Sequence, residues 1–246
     1  MNVEYHKWWS PSLGQEMELK TYGDPGQGKP IVVFPTQGGR FFEYEDFGMI
    51  DAIRPSIDAG RVAVFTVDSV DQQSWCNWAL HPADRAHRHN AYDAYVATEV
   101  APFIHSRGHV GKFLSTGCSM GGYHSANFFF RHPELFDALV CLSGLLQLRM
   151  FIGDYTDGNV YFNTPLAYLP NLTDPGILEQ LRASDIIVCA GRGPWDEDML
   201  ADAEALGRIL EAKGVSCWID IWGHDVSHDW PWWRRQMPYF LHHLGL

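Results

Sequence analysis

The residues whose types and spacing best suit catalysis are Gly117-Cys118-Ser119-Met120-Gly121, which match the pattern Gly-x-Ser-x-Gly. This pattern is informative where it joins a strand to a helix, because the sharp turn then lifts the serine hydroxyl above the sheet. Here an apolar run, Lys112–Thr116, precedes the motif and a helix-forming stretch, Tyr123–Arg131, follows it. Glycines two positions before and after the serine provide the space that such a strained turn needs. We therefore interpret Ser119 as a nucleophile for acyl transfer.

Other interpretations of this turn are weaker. Glycine-rich turns also bind phosphate, but this one lacks the lysine of a P-loop and the glycine spacing of a dinucleotide site. Cys118 could attack in place of the serine, but its side chain should point into the sheet as a buried structural thiol. A tight turn without any chemical role also stays open.

A serine hydroxyl is a poor nucleophile unless a histidine removes its proton. In enzymes with this turn, a carboxylate and then a histidine follow the serine along the chain. His224 and His228 follow the last predicted strand, and His228 directly precedes the final predicted helix. His228 is therefore the predicted base. His224 is left as a loop histidine or as the partner of His228 in a metal pair, which Gly223 and Pro231 disfavour because they interrupt a helix.

The carboxylate that orients the base is expected in the loop 191–198, after the predicted strand Asp185–Ala190. Asp196 is the first acid of this loop. Glu197 and Asp198 fit better as first-turn or N-cap residues of the next helix, where negative charge complements the helix dipole. We predict Asp196 as the acid, with Glu197 as the alternative.

Two backbone amides are predicted to stabilise the oxyanion of the reaction. The N–H of Met120 would point at this oxygen from the start of a helix. In this type of site the second donor comes from the loop after the first central strand. That loop is the turn Thr36–Gly39 after Ile31–Phe34, and Gln37 is the predicted donor, although the turn also fits an ordinary strand-to-helix connection.

The elements that must position these residues alternate between strands and helices, which is typical of a mainly parallel sheet covered by helices. The predicted strands are Val3–Trp8, Gln15–Tyr22, Ile31–Phe34, Val62–Val67, Lys112–Thr116, Ala138–Leu142, Asp185–Ala190 and Ser216–Trp222, and the predicted helices include Phe42–Ala59, Tyr123–Arg131, Asp198–Lys213 and one after Pro231. The alternation stops between about residues 144 and 183, which indicates a cap inserted between two strands. The length of 246 residues fits one domain over residues 1–246.

Composition excludes several classes of partner. The 30 acidic and 18 basic residues give a formal net charge of −12, which argues against binding to nucleic acid or to anionic membranes. No stretch has the roughly 20 apolar residues that span a bilayer, and no signal peptide is evident. The five cysteines are an odd number, which favours free thiols in a reducing compartment. A cytoplasmic protein is expected, and its oligomeric state is not readable.

The chain resembles the esterase family of the α/β-hydrolase superfamily, with esterase D and mycolyltransferase-like enzymes as relatives. The matching segments are GCSMGGYHSANFFFRHPELF, FPTQGGRFFEYEDFGMIDAI, VYFNTPLAYLPNL and GHDVSHDWPWWRRQMPYFL. The resemblance implies an α/β-hydrolase fold with a short cap, and hydrolysis of a small-molecule ester through an acyl-enzyme without a metal or an organic cofactor. It also implies that the histidine of the His-Asp-Trp-x-x-Trp-Arg tail, here His228, is the base. The acid loop GRGPWDED departs from the resemblance, because it is longer and more acidic than the Gly-x-x-Asp pattern of relatives.

Two further functions stay open at this point. Relatives with this turn include acyltransferases, so an alcohol could replace water as the acyl acceptor. A non-catalytic binding protein on the same fold is disfavoured because a full set of candidate residues is present. Aromatic residues that could line a substrate pocket, or simply pack, are Trp75, Trp78, Tyr155, Tyr161, Phe162 and Trp230.

Overall fold

The computed structural model describes residues 1–24 and 26–246, and its centre is a mixed sheet of eight strands in the order β1-β2-β4-β3-β5-β6-β7-β8. The strands are β1 Val3–Ser10, β2 Gln15–Tyr22, β3 Lys29–Phe34, β4 Val62–Val67, β5 Phe113–Cys118, β6 Phe136–Leu142, β7 Asp185–Ala190 and β8 Trp218–Ile221. Strand β2 is antiparallel to β1 and to β4, and the remaining pairs are parallel. The predicted class, a mainly parallel sheet with helices on its faces, is confirmed.

Helices cover the sheet and fill the segment between β6 and β7. They are α1 Glu43–Asp46, α2 Met49–Asp58, α3 Pro82–Tyr95, α4 Ala101–Ser106, α5 Met120–Arg131, α6 Arg149–Ile152, α7 Gly158–Tyr161, α8 Pro165–Tyr168, α9 Pro175–Arg182, α10 Glu197–Ala212 and α11 Trp230–His243, with a π-helical turn at Val96–Val100 and 3₁₀ turns at Asp71–Gln73 and Leu169–Asn171. Among the described residues, no helix combines the length and the apolar character needed to cross a bilayer.

The central strands are mainly apolar because both faces of the sheet are buried. Alternate residues of β3 show this directly. Val32 and Phe34 belong to the core that packs with Phe128 of α5, whereas Ile31 and Val33 belong to the core on the opposite face, with Phe240 of α11. The sheet is therefore a rigid platform between two layers of helices.

Several predicted boundaries are wrong. The helix predicted over 42–59 is interrupted at Gly48, whose φ of 73° is incompatible with a helix. The last strand is shorter than predicted, and α11 begins at Trp230 rather than after Pro231. Helix α5 begins at Met120 rather than Tyr123, so that Ser119 directly precedes it.

Candidate active site

Ser119 lies at a sharp turn between β5 and α5. Its φ of 57° and ψ of −120° are strained for a residue with a side chain. A Cβ atom at position 117 would lie 2.4 Å from the backbone of Gly121, and one at position 121 would lie 2.2 Å from the carbonyl oxygen of Phe34. The turn therefore requires glycine at both positions, because the helix starts in contact with the end of β3.

The three side chains predicted as nucleophile, base and acid form one hydrogen-bonded chain. His228 Nε2 lies 2.8 Å from Ser119 Oγ, and His228 Nδ1 lies 2.7 Å from Asp196 Oδ1. Asp196 is fully buried at the residue before α10. His228 lies just before α11, and β5, β7 and β8 end at the same edge of the sheet. The fold thus brings together residues that are 109 positions apart in the chain.

The second carboxylate oxygen of Asp196 is held by residues that the sequence did not indicate. Its Oδ2 accepts hydrogen bonds from the Gly191 amide at 2.6 Å and from Ser143 Oγ at 3.1 Å. Ser143 Oγ in turn accepts from Trp233 Nε1 at 3.2 Å. These hydrogen bonds satisfy the second oxygen of the buried carboxylate and fix its direction toward His228.

Backbone strain is concentrated at this site. Among the described residues other than glycine, positive φ values occur at Ser119, at Ser143 (48°) and at Trp195 (74°). Ser119 bonds to His228, Ser143 bonds to Asp196, and Trp195 directly precedes Asp196. Strained conformations of this kind persist where the surrounding structure enforces them, and they cluster at functional sites.

The alternative residues take other positions. Glu197 and Asp198 are exposed in the first turn of α10, as expected for acids that complement a helix dipole. His224 is exposed, and no group of three or more metal-ligating side chains converges anywhere in the described part of the chain. Cys118 is 1% exposed, and burial raises the pKa of its thiol well above the usual value. A thiol in that state is a poor nucleophile.

The predicted oxyanion donors belong to two segments, the start of α5 and the turn after β3. Met120 is the first residue of α5, where backbone amides lack helical acceptors. In the turn after β3, the Thr36 amide donates to Glu43 Oε2 at 2.8 Å and the Gly39 amide donates to the Thr36 carbonyl at 2.9 Å. Within the described residues, the Gln37 amide donates to no protein acceptor. Its assignment as the second donor stays a prediction.

Glu43 is a residue that the sequence analysis missed. Its side chain is buried, which raises the pKa of its carboxyl group, and its Oε1 accepts a hydrogen bond from Thr36 Oγ1 at 2.6 Å. A Cβ at position 39 would lie 2.5 Å from the Glu43 carboxylate. Glu43 therefore fixes the conformation of the 36–39 turn from beneath.

Comparison with known proteins agrees with this architecture. The family described as "Putative esterase" matches residues 10–244. No curated protein matches the sequence closely enough to count as a relative. Similar solved structures include a ferulic acid esterase with a TM-score of 0.75 at 16% identity, where the match covers 97% of this chain and 95% of that one.

Two other structures show the same fold. The S-formylglutathione hydrolase FrmB from Staphylococcus aureus matches with a TM-score of 0.74 at 15% identity over 100% of both chains. MPT51 (FbpC1) from Mycobacterium tuberculosis matches with a TM-score of 0.74 at 15% identity over 99% of this chain and 98% of that one. These likenesses confirm the α/β-hydrolase fold, and since the family match spans most of the sequence, the chain belongs to this esterase family and is a carboxylic ester hydrolase.

Proposed function

We propose that the protein hydrolyses carboxylic esters through an acyl-enzyme, with Ser119 as nucleophile, His228 as general base and acid, and Asp196 as the orienting carboxylate. The observation that supports this proposal is the continuous hydrogen-bonded chain from the buried Asp196 carboxylate through both ring nitrogens of His228 to the Ser119 hydroxyl. An imidazole held in this way can receive a proton at Nε2 because Nδ1–H is committed to the carboxylate.

In the first half-reaction, Ser119 Oγ attacks the ester carbonyl carbon while His228 Nε2 takes the hydroxyl proton. The carbonyl electron pair moves to the oxygen, which accepts hydrogen bonds from the amides of Met120 and Gln37. Each such donor is typically worth about 3 to 4 kcal/mol in the transition state. His228 then gives its proton to the departing alcohol oxygen as the carbon–oxygen bond breaks, leaving the acyl group on Ser119.

In the second half-reaction, His228 removes a proton from water, and the hydroxide formed attacks the acyl carbon. The same two amides hold the new oxyanion. When this intermediate collapses, His228 returns the proton to Ser119 Oγ and the carboxylic acid leaves. Over the cycle one ester and one water are consumed, one alcohol and one carboxylic acid are released, and Ser119 and His228 return to their starting protonation states.

The two late histidines provide a matched test of this proposal. His228→Gln is expected to lower kcat for p-nitrophenyl acetate by about 10⁴-fold or more, because no other basic side chain of the described residues bonds to the Ser119 hydroxyl. His224→Gln is expected to keep kcat within about twofold, since surface changes away from the reacting groups have small effects. Release of p-nitrophenolate measures both. Retained activity in the first variant, or equal losses in the two, would refute the assignment of His228.

Glu43 gives a second test, directed at the oxyanion turn. Glu43→Ala leaves the Thr36 amide without its acceptor, and we expect kcat to fall by about 10- to 100-fold with little change in KM, as for a partial loss of one oxyanion donor. Glu43→Gln keeps an acceptor for that amide and should lose much less. Asp46→Asn, an exposed change in the same helix, is the control. If Glu43→Ala matches this control in kcat, the turn has no oxyanion role.

A further inference from the structure

One buried basic side chain has no acidic partner. Arg85 in α3 is 6% exposed, and it is the one buried arginine or lysine among the described residues. Its Nη1 donates to the carbonyl oxygens of Phe151 at 2.8 Å and Trp75 at 3.3 Å. The guanidinium carbon lies 5.3 Å from the ring centroid of Trp78. These contacts hold the guanidinium between the loop after β4 and helix α6. Because the acceptors are neutral carbonyl oxygens, they do not neutralise its charge.

Burial without a carboxylate partner sets Arg85 apart from the arginines of the chain that form ion pairs. The described arginines that form ion pairs with carboxylates are Arg40, Arg54, Arg107, Arg131 and Arg149. Burying an arginine without a counter-ion is unfavourable, because neutral carbonyl oxygens replace only part of the lost hydration. Such a charge is explained if an anion completes its surroundings in the working protein.

One nitrogen of this guanidinium is free to meet a ligand. Arg85 Nε is enclosed without an acceptor. Nη2 also has no acceptor among the described residues. Unlike Nε, it is not fully enclosed and keeps some access to solvent. Trp78, which lies against the guanidinium, is 61% exposed and presents an apolar surface beside this group.

A series of contacts through Trp75 and Tyr123 links Arg85 to the turn that carries Ser119. The Trp75 ring packs edge-on against Tyr123, with centroids 6.5 Å apart, and the Tyr123 amide donates to the Ser119 carbonyl at 3.1 Å. Trp75 and Phe151, which accept hydrogen bonds from Arg85, also share one buried apolar cluster with Met120. Arg85 therefore bonds to two members of the buried cluster that also contains Met120, the residue next to the nucleophile.

We propose that Arg85 binds the carboxylate of an anionic ester whose reacting carbonyl is at Ser119, so that the preferred substrates carry one free carboxylate. One guanidinium with a single accessible nitrogen suits a single negative charge better than a phosphate, which needs more donors. This inference rests on the proposed function, because it names the substrate class of the same site.

Paired esters test it. p-Nitrophenyl hemiglutarate and p-nitrophenyl valerate have acyl chains of the same carbon number and differ in one terminal carboxylate, whereas 4-acetoxybenzoate and its methyl ester differ in charge on the leaving group. We expect Arg85→Met to lower kcat/KM, corrected for uncatalysed hydrolysis, by about 10- to 100-fold for at least one of the two anionic esters. The neutral esters should change by no more than about twofold, and Arg85→Lys should retain part of the anionic preference. The anionic ester that responds identifies the side of the substrate that carries the charge.

Equal losses of kcat/KM on anionic and neutral esters would show that Arg85 has only a structural role. Unchanged kinetics would also overturn the proposal. If Arg85→Met does not fold, the decision falls to Arg85→Lys and to the wild-type protein, which must prefer the anionic member of at least one pair. If no ester is hydrolysed, the proposed function fails, but calorimetric titration with monomethyl glutarate still tests Arg85: binding by the wild type and not by Arg85→Met supports the anion site, and no binding refutes it.

Discussion

Replacing Ser119 with alanine is expected to lower kcat for p-nitrophenyl acetate by about 10⁴-fold or more, leaving only the rate that the oxyanion donors and substrate binding provide. Alanine can adopt the backbone conformation that serine already adopts at this position, so we expect the free energy of unfolding to change by no more than about 1 kcal/mol. Loss of activity in a folded protein would therefore report on the hydroxyl itself. Release of p-nitrophenolate and denaturant unfolding are the two measurements.

Cys118→Ala is the matched control for this prediction, because it removes the neighbouring candidate nucleophile. The Cys118 thiol is buried away from solvent, so this variant should lose some stability and keep most of its activity. A Ser119→Ala variant that hydrolyses the ester at the wild-type rate would contradict the proposal. Loss of activity in Cys118→Ala alone would point to the thiol instead.

Asp196→Asn is expected to lower kcat by about 10⁴-fold while the protein still folds. An asparagine can present its amide N–H to His228 Nδ1, which stabilises the tautomer that has its proton on Nε2 and cannot accept the serine proton. It also gives the Gly191 amide and the Ser143 hydroxyl a weaker acceptor than the carboxylate oxygen they bond to in the wild type. The hydrolysis rate and the unfolding curve of the variant measure these effects together.

Glu197→Gln and Asp198→Asn are the controls, because both side chains are exposed on the first turn of α10. Each should keep kcat within about twofold and lose a few tenths of a kcal/mol of helix stability. A large loss in Glu197→Gln with retained activity in Asp196→Asn would transfer the role of the acid to Glu197.

The sequence predicted the central strands well because both faces of the sheet are buried. Under that condition each strand is a short apolar run between polar segments, as in Val62–Val67 and Asp185–Ala190, whose bounds agree with the structure. Edges were less predictable. Strand β8 has only half-buried residues. The apolar run in the sequence therefore extends beyond the residues that pair with the neighbouring strand.

The residues of the candidate triad could be proposed because chain order and loop position restrict the choice. The motif selects Ser119, and only a few acids and histidines follow strands late in the chain. The hydrogen-bond partners around the triad and the 36–39 turn could not be proposed in the same way. Ser143 and Glu43 contribute through hydrogen bonds that depend on the three-dimensional path of loops, and neither lies in a motif with fixed spacing.

The helix break at Gly48 shows a related limit. The apolar spacing from Phe42 to Ala59 is compatible with one helix, and an isolated glycine is tolerated in many helices. Here the chain turns at Gly48 so that α1 can place Glu43 against the 36–39 turn while α2 packs on the sheet. That choice is made by tertiary contacts rather than by local preference.

The most direct test of the account is the identity of the acylated residue. The protein is mixed with p-nitrophenyl acetate, quenched in acid within the first turnover and digested, and the peptides are analysed by mass spectrometry. We predict one acetyl group on the peptide that contains Ser119, formed in the wild type and in His224→Gln and absent in Ser119→Ala. Turnover without any acetylated peptide, or an acetyl group reproducibly on another residue, would contradict the account.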